Sequence, residues 1–272
     1  MRVKNLMSEN LITIDKDQSL TDGLKLLRKN KISRLPVINT NENNEKELVG
    51  IVSERDIARK LGSSKNVGIS TSRLHISSVM VKEVITVNED ADLVDVANLM
   101  LYRGIGSTPI KSEENIMGIV SKADFIPLCT GKAFEKIIVK DEMIKDIKSI
   151  SSSERLIHAR RILLDSKIGR LPVIDDGEIV GILTSKDVIR CLISFRKNVP
   201  ENHQQAQIKN IVVGDIMSKN IMTISENSSI DEVANIFIET GYNGLPVVDD
   251  NNKVVGIITQ TDLLRIFIEI ES

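Results

Sequence analysis

Four short segments carry the side chains best suited to chemistry: Ser53-Glu-Arg-Asp56, Ser121-Lys-Ala-Asp124, Thr184-Ser-Lys-Asp187 and Thr259-Gln-Thr-Asp262. In each, a hydroxyl stands three residues before a carboxylate, directly after an apolar run. That spacing is a capping box: the hydroxyl accepts from an amide of the first helical turn, and the acid bonds back to the cap. Such a cap is worth about 1 kcal/mol and needs no ligand. The same geometry suits a second task. A helix start offers unpaired N–H groups and a positive dipole end that attract phosphate. An ionised carboxylate there, acceptor only, can take both hydroxyls of a ribose diol. Because the acid repels phosphate, it should face the sugar while cations hold the phosphate. The candidate cations are Arg55, Lys122 and Lys186 inside the turns, with Arg34 and Arg170 each two residues before a proline.

The elements that must position these turns repeat four times. Met7, Met80, Met143 and Met217 each lie 29 residues before Pro36, Pro109, Pro172 and Pro246. Gly50, Gly118, Gly181 and Gly256 follow, and each turn aspartate comes six residues after its glycine. A period of 63 to 74 residues signals internal duplication. Six residues after each methionine stands a hydroxyl in a short alternating segment: Thr13, Thr86, Ser149 and Thr223. The alternation predicts a small strand or extended arm. A helical period follows at Leu20/Gly23/Leu24/Leu27, Leu93/Val96/Ala97/Met100, Leu156/Ala159/Arg160/Leu163 and Ile230/Val233/Ala234/Phe237. Arg160 interrupts the third stripe and is expected to snorkel to solvent, with a ligand contact as the alternative.

Two Val/Ile-rich strands come next, as in Leu35–Ile38 with Leu48–Val52 and Leu171–Ile174 with Ile179–Leu183. Asp-Asp-Gly and Asp-Asp-Asn-Asn join them in repeats 3 and 4, while repeat 1 has a longer polar loop from Asn39 to Glu47. A second helix starts at each aspartate. The unit is strand–helix–strand–strand–helix, an α/β (α+β) class, and at about 55 residues it should pair to bury its apolar face. The boundaries fall at 1–62, 74–132, 137–194 and 210–272, with linker-like stretches over Gly62–His75, Pro127–Ile137 and Ser194–Asn210.

Composition narrows the function classes. The 272 residues are 41% hydrophobic and 27% charged with a net charge of −2, so no global pull toward nucleic acid is expected. Aromatics at 3% argue the same way. Cys129 and Cys191 have neither CxxC spacing nor a nearby histidine, which points to buried thiols in a reducing compartment, with no metal required. No window approaches 18 apolar residues and the first residues lack a signal-peptide core, so the expected setting is the cytoplasm, with no membrane partner. His75, His158 and His203 stand apart from one another, and no Walker loop, GxGxxG or nucleophile elbow occurs. The expectation is not an enzyme.

A hydroxyl-bearing first strand, then x-Leu-Pro-Val, then Gly-hydrophobic-hydrophobic-[Ser/Thr]-x-x-Asp resembles the cystathionine β-synthase (CBS) domain. Four copies cover nearly the whole chain, similar to the gamma regulatory subunit of AMP-activated protein kinase and to stand-alone prokaryotic four-CBS proteins. The resemblance implies two pseudo-two-fold Bateman modules, 1–135 and 136–272, in a disc, as a monomer or homodimer. It implies clefts for AMP, ADP or ATP, sometimes S-adenosylmethionine, with residues from both repeats of a module. Asp56, Asp124, Asp187 and Asp262 would hold ribose. Ser53, Ser121, Thr184 and Thr259, with Arg34 or Arg170, would approach phosphates. Thr13, Thr86, Ser149 and Thr223 would lie near base and sugar. The chain departs from the kinase pattern before the repeat proline: Ser33-Arg34, Gly106-Ser107, Gly169-Arg170 and Asn243-Gly244 stand there, and Thr108 replaces leucine. Two or three occupied clefts are expected. The implied function is an energy-state sensor acting on an unidentified protein. The alternatives are an interaction scaffold with vestigial clefts, or an S-adenosylmethionine-binding regulator.

Overall fold

The computed structural model describes residues 1–41, 45–62, 69–113 and 115–272. Repeat 1 runs β1 (Ile14–Asp15), α1 (Leu20–Lys29), β2 (Arg34–Thr40), β3 (Lys46–Ser53) and α2 (Glu54–Leu61). Repeat 2 keeps that order with β4 (Val87–Asn88), α3 (Leu93–Tyr102), β5 (Ser107–Ser112), β6 (Asn115–Ser121) and the single turn α4 (Lys122–Phe125). Two short turns, α5 (Lys132–Glu135) and α6 (Val139–Glu142), lead into repeat 3, with α7 (Leu156–Asp165), β7 (Arg170–Asp175), β8 (Glu178–Thr184) and α8 (Ser185–Asn198). After α9 (Glu201–Gln207), repeat 4 has β9 (Ile224–Ser225), α10 (Ile230–Thr240), β10 (Gly244–Val248), β11 (Val254–Thr259) and α11 (Gln260–Glu271). The repeating unit is the one the sequence predicts, an α/β arrangement of small mixed sheets and helices. In repeat 3 the first strand shrinks to one parallel bridge, Ile150 to Val173.

Each sheet is built alike. The first strand runs parallel to the second, and the second pairs antiparallel with the third. A register shift recurs at Val37/Ile38, Ile110/Lys111, Val173/Ile174 and Val247/Val248. Val37, Ile110, Val173 and Val247 pair with Gly50, Gly118, Gly181 and Gly256, so the extra residue of each bulge directly precedes the repeat glycine.

The chain forms two compact units. One contains Met1–Leu11, Ile85–Ile147 and Met222–Ser272; the other contains Ile12–Val84 and Lys148–Ile221. The first holds the bodies of repeats 2 and 4 around one core that includes Leu93, Met100, Phe125, Phe237 and Phe267. The second holds the bodies of repeats 1 and 3 around a core including Leu20, Leu35, Leu61, Leu156 and Leu183. Within the second, α2 packs on α8; within the first, α11 packs on α3.

Consecutive repeats exchange their leading segments. Ser8 bridges Ile119 and Val81 bridges Ile51; Ile144 bridges Ile257 and Ser218 bridges Ile182. The repeat methionine lies over the partner repeat's glycine. A Cβ on Gly50 would meet Met80 Sδ at 2.6 Å, and one on Gly118 would meet Met7 Sδ at 3.0 Å and the Ser8 carbonyl at 2.7 Å. Gly181 faces Met217 and Gly256 faces Met143 in the same way. Four residues before each methionine, Val3, Ile76, Val139 and Val213 are fully buried. The methionine-to-glycine register seen in the sequence is thus a contact between neighbouring repeats, not within one.

Three local expectations change. Arg160 does not snorkel: its guanidinium donates to the carbonyls of Ala58 and Arg59 at 3.4 and 3.0 Å, near the end of α2. The Ala58 carbonyl also accepts from the Gly62 N–H at 3.1 Å, so Arg160 adds a second donor to the backbone at the end of α2. The polar loop of repeat 1 is shorter than expected, because β2 runs to Thr40 and β3 starts at Lys46; residues 42–44 lie outside the described residues. The stretch from Ser194 to Asn210 is no linker, since α8 and α9 occupy most of it. Cys129 is buried, Cys191 is half-buried and both are free. Among the described residues no helix is long and apolar enough to cross a membrane.

Candidate functional site

The register of each sheet brings the candidate residues to one end. Arg34 opens β2 directly opposite Ser53, the last residue of β3; Arg170 faces Thr184, Ser107 faces Ser121, and Gly244 faces Thr259. Because Ile14 pairs in parallel with Val37, Thr13 enters its sheet at this same end. Thr86 precedes the Val87–Ile110 pair and Thr223 the Ile224–Val247 pair, while Ser149 precedes the Ile150 bridge. Thr13, Thr86 and Thr223 are half-buried and Ser149 is exposed. A hydroxyl, the position that carries arginine in repeats 1 and 3, and the capped turn therefore converge within each repeat.

All four turns form capping boxes. The Ser53 N–H and hydroxyl donate to Asp56 Oδ2 at 3.1 and 2.5 Å. The corresponding bonds are 2.6 and 2.8 Å for Ser121 to Asp124, 2.9 and 2.6 Å for Thr184 to Asp187, and 2.8 and 2.7 Å for Thr259 to Asp262. Every bond goes to Oδ2. Oδ1 takes a different role: Arg59 donates to it in Asp56 at 2.6 Å, and Arg190 lies 3.7 Å from it in Asp187. The cap therefore leaves Oδ1 of Asp56 and Asp187 to other partners. Asp187 and Asp262 are buried, and burial lifts the Asp262 carboxyl above its ordinary range against the pull of the Thr259 bonds and Arg265.

The cations differ from one another. Arg34 is held below its usual range by burial and by Arg55. Burial alone pushes Arg170 down to about 10, and among the described residues its guanidinium has neither a hydrogen bond nor an ion pair. The Arg55 Nε is buried without a partner. Lys122 donates to the Thr261 hydroxyl at 2.8 Å, joining the turns of repeats 2 and 4. Lys186 lies 3.8 Å from Glu54, joining the turns of repeats 1 and 3. The turns thus face each other in pairs inside each unit.

Glu54 escaped sequence reasoning, while Ser107 and Thr108 stood out only as departures from the pattern before the repeat proline. Glu54 sits within the repeat 1 motif where the other copies have Lys122, Ser185 and Gln260, so an acid at that place was a visible signal. Burial raises its carboxyl to about 7, against the pull of Lys186 and Arg34. Ser107, in the arginine position of repeat 2, has a buried hydroxyl without a partner. Thr108, the departure from leucine, is fully buried and donates to the Ile85 carbonyl at 2.6 Å, so its polar atom is satisfied. Among the described residues, no group of His, Cys, Asp and Glu assembles a metal site. His75 contacts the Asp17 carbonyl and His158 contacts Glu154, away from the turns.

The sequence profile described as CBS domain matches residues 3–63, 76–129, 139–194 and 213–269. The uncharacterized protein MJ1225 of Methanocaldococcus jannaschii is 28% identical over 97% of this chain and 98% of its own length. The crystal structure of MJ1225, proposed there as an archaeal homolog of g-AMPK, superposes with a TM-score of 0.85 over 98% of this chain and 100% of that one. The L-aspartate semialdehyde sulfurtransferase of the same organism is 34% identical over 48% of this chain, which is 23% of that protein. CBSX2, from Arabidopsis thaliana, has been solved with AMP; it is 28% identical over 50% of this chain and 99% of its own, with a TM-score of 0.42.

Proposed function

The chain belongs to the CBS-domain family, and from that premise we propose that it is a non-enzymatic regulator that binds AMP, ADP or ATP at its capped turns and signals their level to a partner protein. The observation that carries this reading is Arg170. Its side chain is half-buried, with neither a hydrogen bond nor an ion pair among the described residues, so water is the only partner an arriving anion has to displace and a charge-assisted bond is open to it. Arg170 stands across the strand from Thr184, whose turn carries Asp187 with one oxygen committed to the cap. Phosphate at Arg170 and ribose at Asp187 Oδ1 would use both groups. Arg34, Ser53 and Asp56 repeat the arrangement. Likeness to MJ1225 over nearly its full length supports the same reading.

The proposal includes the cytoplasm as the working compartment and consecutive repeats paired as modules 1–135 and 136–272. Thr13, Thr86, Ser149 and Thr223 serve base and sugar, and Lys122 and Arg55 assist at phosphate. Repeats 1 and 3 should bind ahead of 2 and 4, which have Ser107 and Gly244 where these have arginine. A second reading has an observation of its own: all four caps are complete without any ligand, as a scaffold with vestigial clefts would have them.

Calorimetric titration of wild type and Arg170→Gln with AMP, ADP, ATP and S-adenosylmethionine separates them. Saturable nucleotide binding, weakened at least about tenfold by losing a charge-assisted bond, is the expected result. Binding of S-adenosylmethionine alone would favour the alternative regulator, and no binding at all would favour the scaffold.

A further inference from the structure

Glu54 is misplaced for a phosphate site. It projects from the first residue of α2 into the space between the repeat 1 and repeat 3 turns, where its side chain is largely buried. Facing it are Lys186 and Asp187 from the start of α8, Arg34 from the start of β2, and Ser33, whose carbonyl accepts from the Glu54 N–H at 3.0 Å. An arriving phosphate would want Arg34 and Lys186, and would meet a carboxylate already there.

We propose that Glu54 is a built-in counter-anion, which holds Lys186 while the unit is empty and yields it, taking up a proton, when a phosphate group binds between the two turns. The inference rests on the reading of these turns as phosphate sites. Its basis is geometric: the 3.8 Å approach of Lys186 to Glu54 crosses from one turn to the other. A carboxyl already raised to about 7 by burial is poised to protonate once Lys186 turns to another anion and a like charge settles nearby. Binding then takes up a proton, so affinity at Glu54's expense falls as pH rises through that value. Glu54 thereby disfavours the most highly charged ligands, setting a selectivity that the aspartates cannot set.

The test is calorimetric titration of wild type, Glu54→Gln and Lys186→Met with AMP, ATP and inorganic pyrophosphate, in buffers of different ionisation enthalpy. Because the ligands release protons of their own, the readout is the difference between wild type and Glu54→Gln. At about pH 8, Glu54→Gln should bind about tenfold tighter, equivalent to one pKa unit of interaction, with the larger gain for ATP. It should lose the proton uptake seen in wild type. At about pH 6 the two should bind alike, since Glu54 is by then largely protonated. Lys186→Met should bind weakly and lack the linked uptake. Equal proton counts in wild type and Glu54→Gln, or weaker binding by Glu54→Gln despite an unchanged melting temperature, would overturn the proposal. If pyrophosphate shows the linkage but no nucleotide binds, the Glu54 role stands and the nucleotide reading falls. If nothing binds, both fall.

Discussion

Each turn aspartate uses its two oxygens differently, so substitutions at one side chain can part structure from binding. At Asp187, asparagine can still offer one oxygen to the Thr184 cap but replaces the other acceptor with an amide donor. Asp187→Asn is therefore expected to keep its stability within about 1 kcal/mol while losing about ten- to a hundredfold in nucleotide affinity. Asp187→Ala should lose both, which thermal unfolding and titration of the two variants will show. Glu54 gives a second test at this scale. Its carboxyl ionises near 4.5 in the unfolded chain and at about 7 in the fold, so the folded state binds the extra proton. The stability this contributes is complete below pH 4.5 and lost as pH rises toward 7. Glu54→Gln should accordingly raise unfolding free energy near pH 8 by about 3 kcal/mol and leave it unchanged near pH 4, as denaturant titrations at the two pH values can measure.

The third strand of each repeat is met by the leading segment of the neighbouring repeat, and four glycines mark where. Adding a methyl group tests each contact differently. In Gly118→Ala the nearest atom is the Ser8 backbone carbonyl at 2.7 Å, which cannot move without breaking its bridge to Ile119. In Gly181→Ala the nearest atoms all belong to the flexible Met217 side chain. Gly118→Ala should cost about 1–3 kcal/mol, and Gly181→Ala less, with Met217→Ala restoring part of the loss. Equilibrium unfolding of the single and double variants measures this.

The helices, the strand pairs and the four caps were legible because period, β-branching and the Ser/Thr-x-x-Asp spacing are local. The exchange was not, although Met7 and Gly118 were both singled out, because spacing says nothing about which repeat a side chain reaches. Arg160 was misjudged for the same reason: its acceptors, Ala58 and Arg59, belong to another repeat. Glu54 lay in plain view, but its partner Lys186 is 132 positions away in the chain numbering, and burial between two turns leaves no local trace.

At the scale of the molecule, the two units carry the turns in pairs: repeats 1 and 3 in one, repeats 2 and 4 in the other. Only the first pair has arginine opposite the cap, so the units should differ in occupancy. A ligand at about 100 times its dissociation constant stabilises the state it binds by about 2.7 kcal/mol, and that gain should vanish for the unit whose turns are altered. The measurement closest to the central proposal is titration of the full chain with AMP, ADP and ATP, beside the double variant Asp56→Asn/Asp187→Asn. Wild type should bind at least one of the three saturably, and the double variant should bind fewer molecules per chain at unchanged fold. Absence of binding by wild type, or equal stoichiometry and affinity in the two proteins, would contradict it.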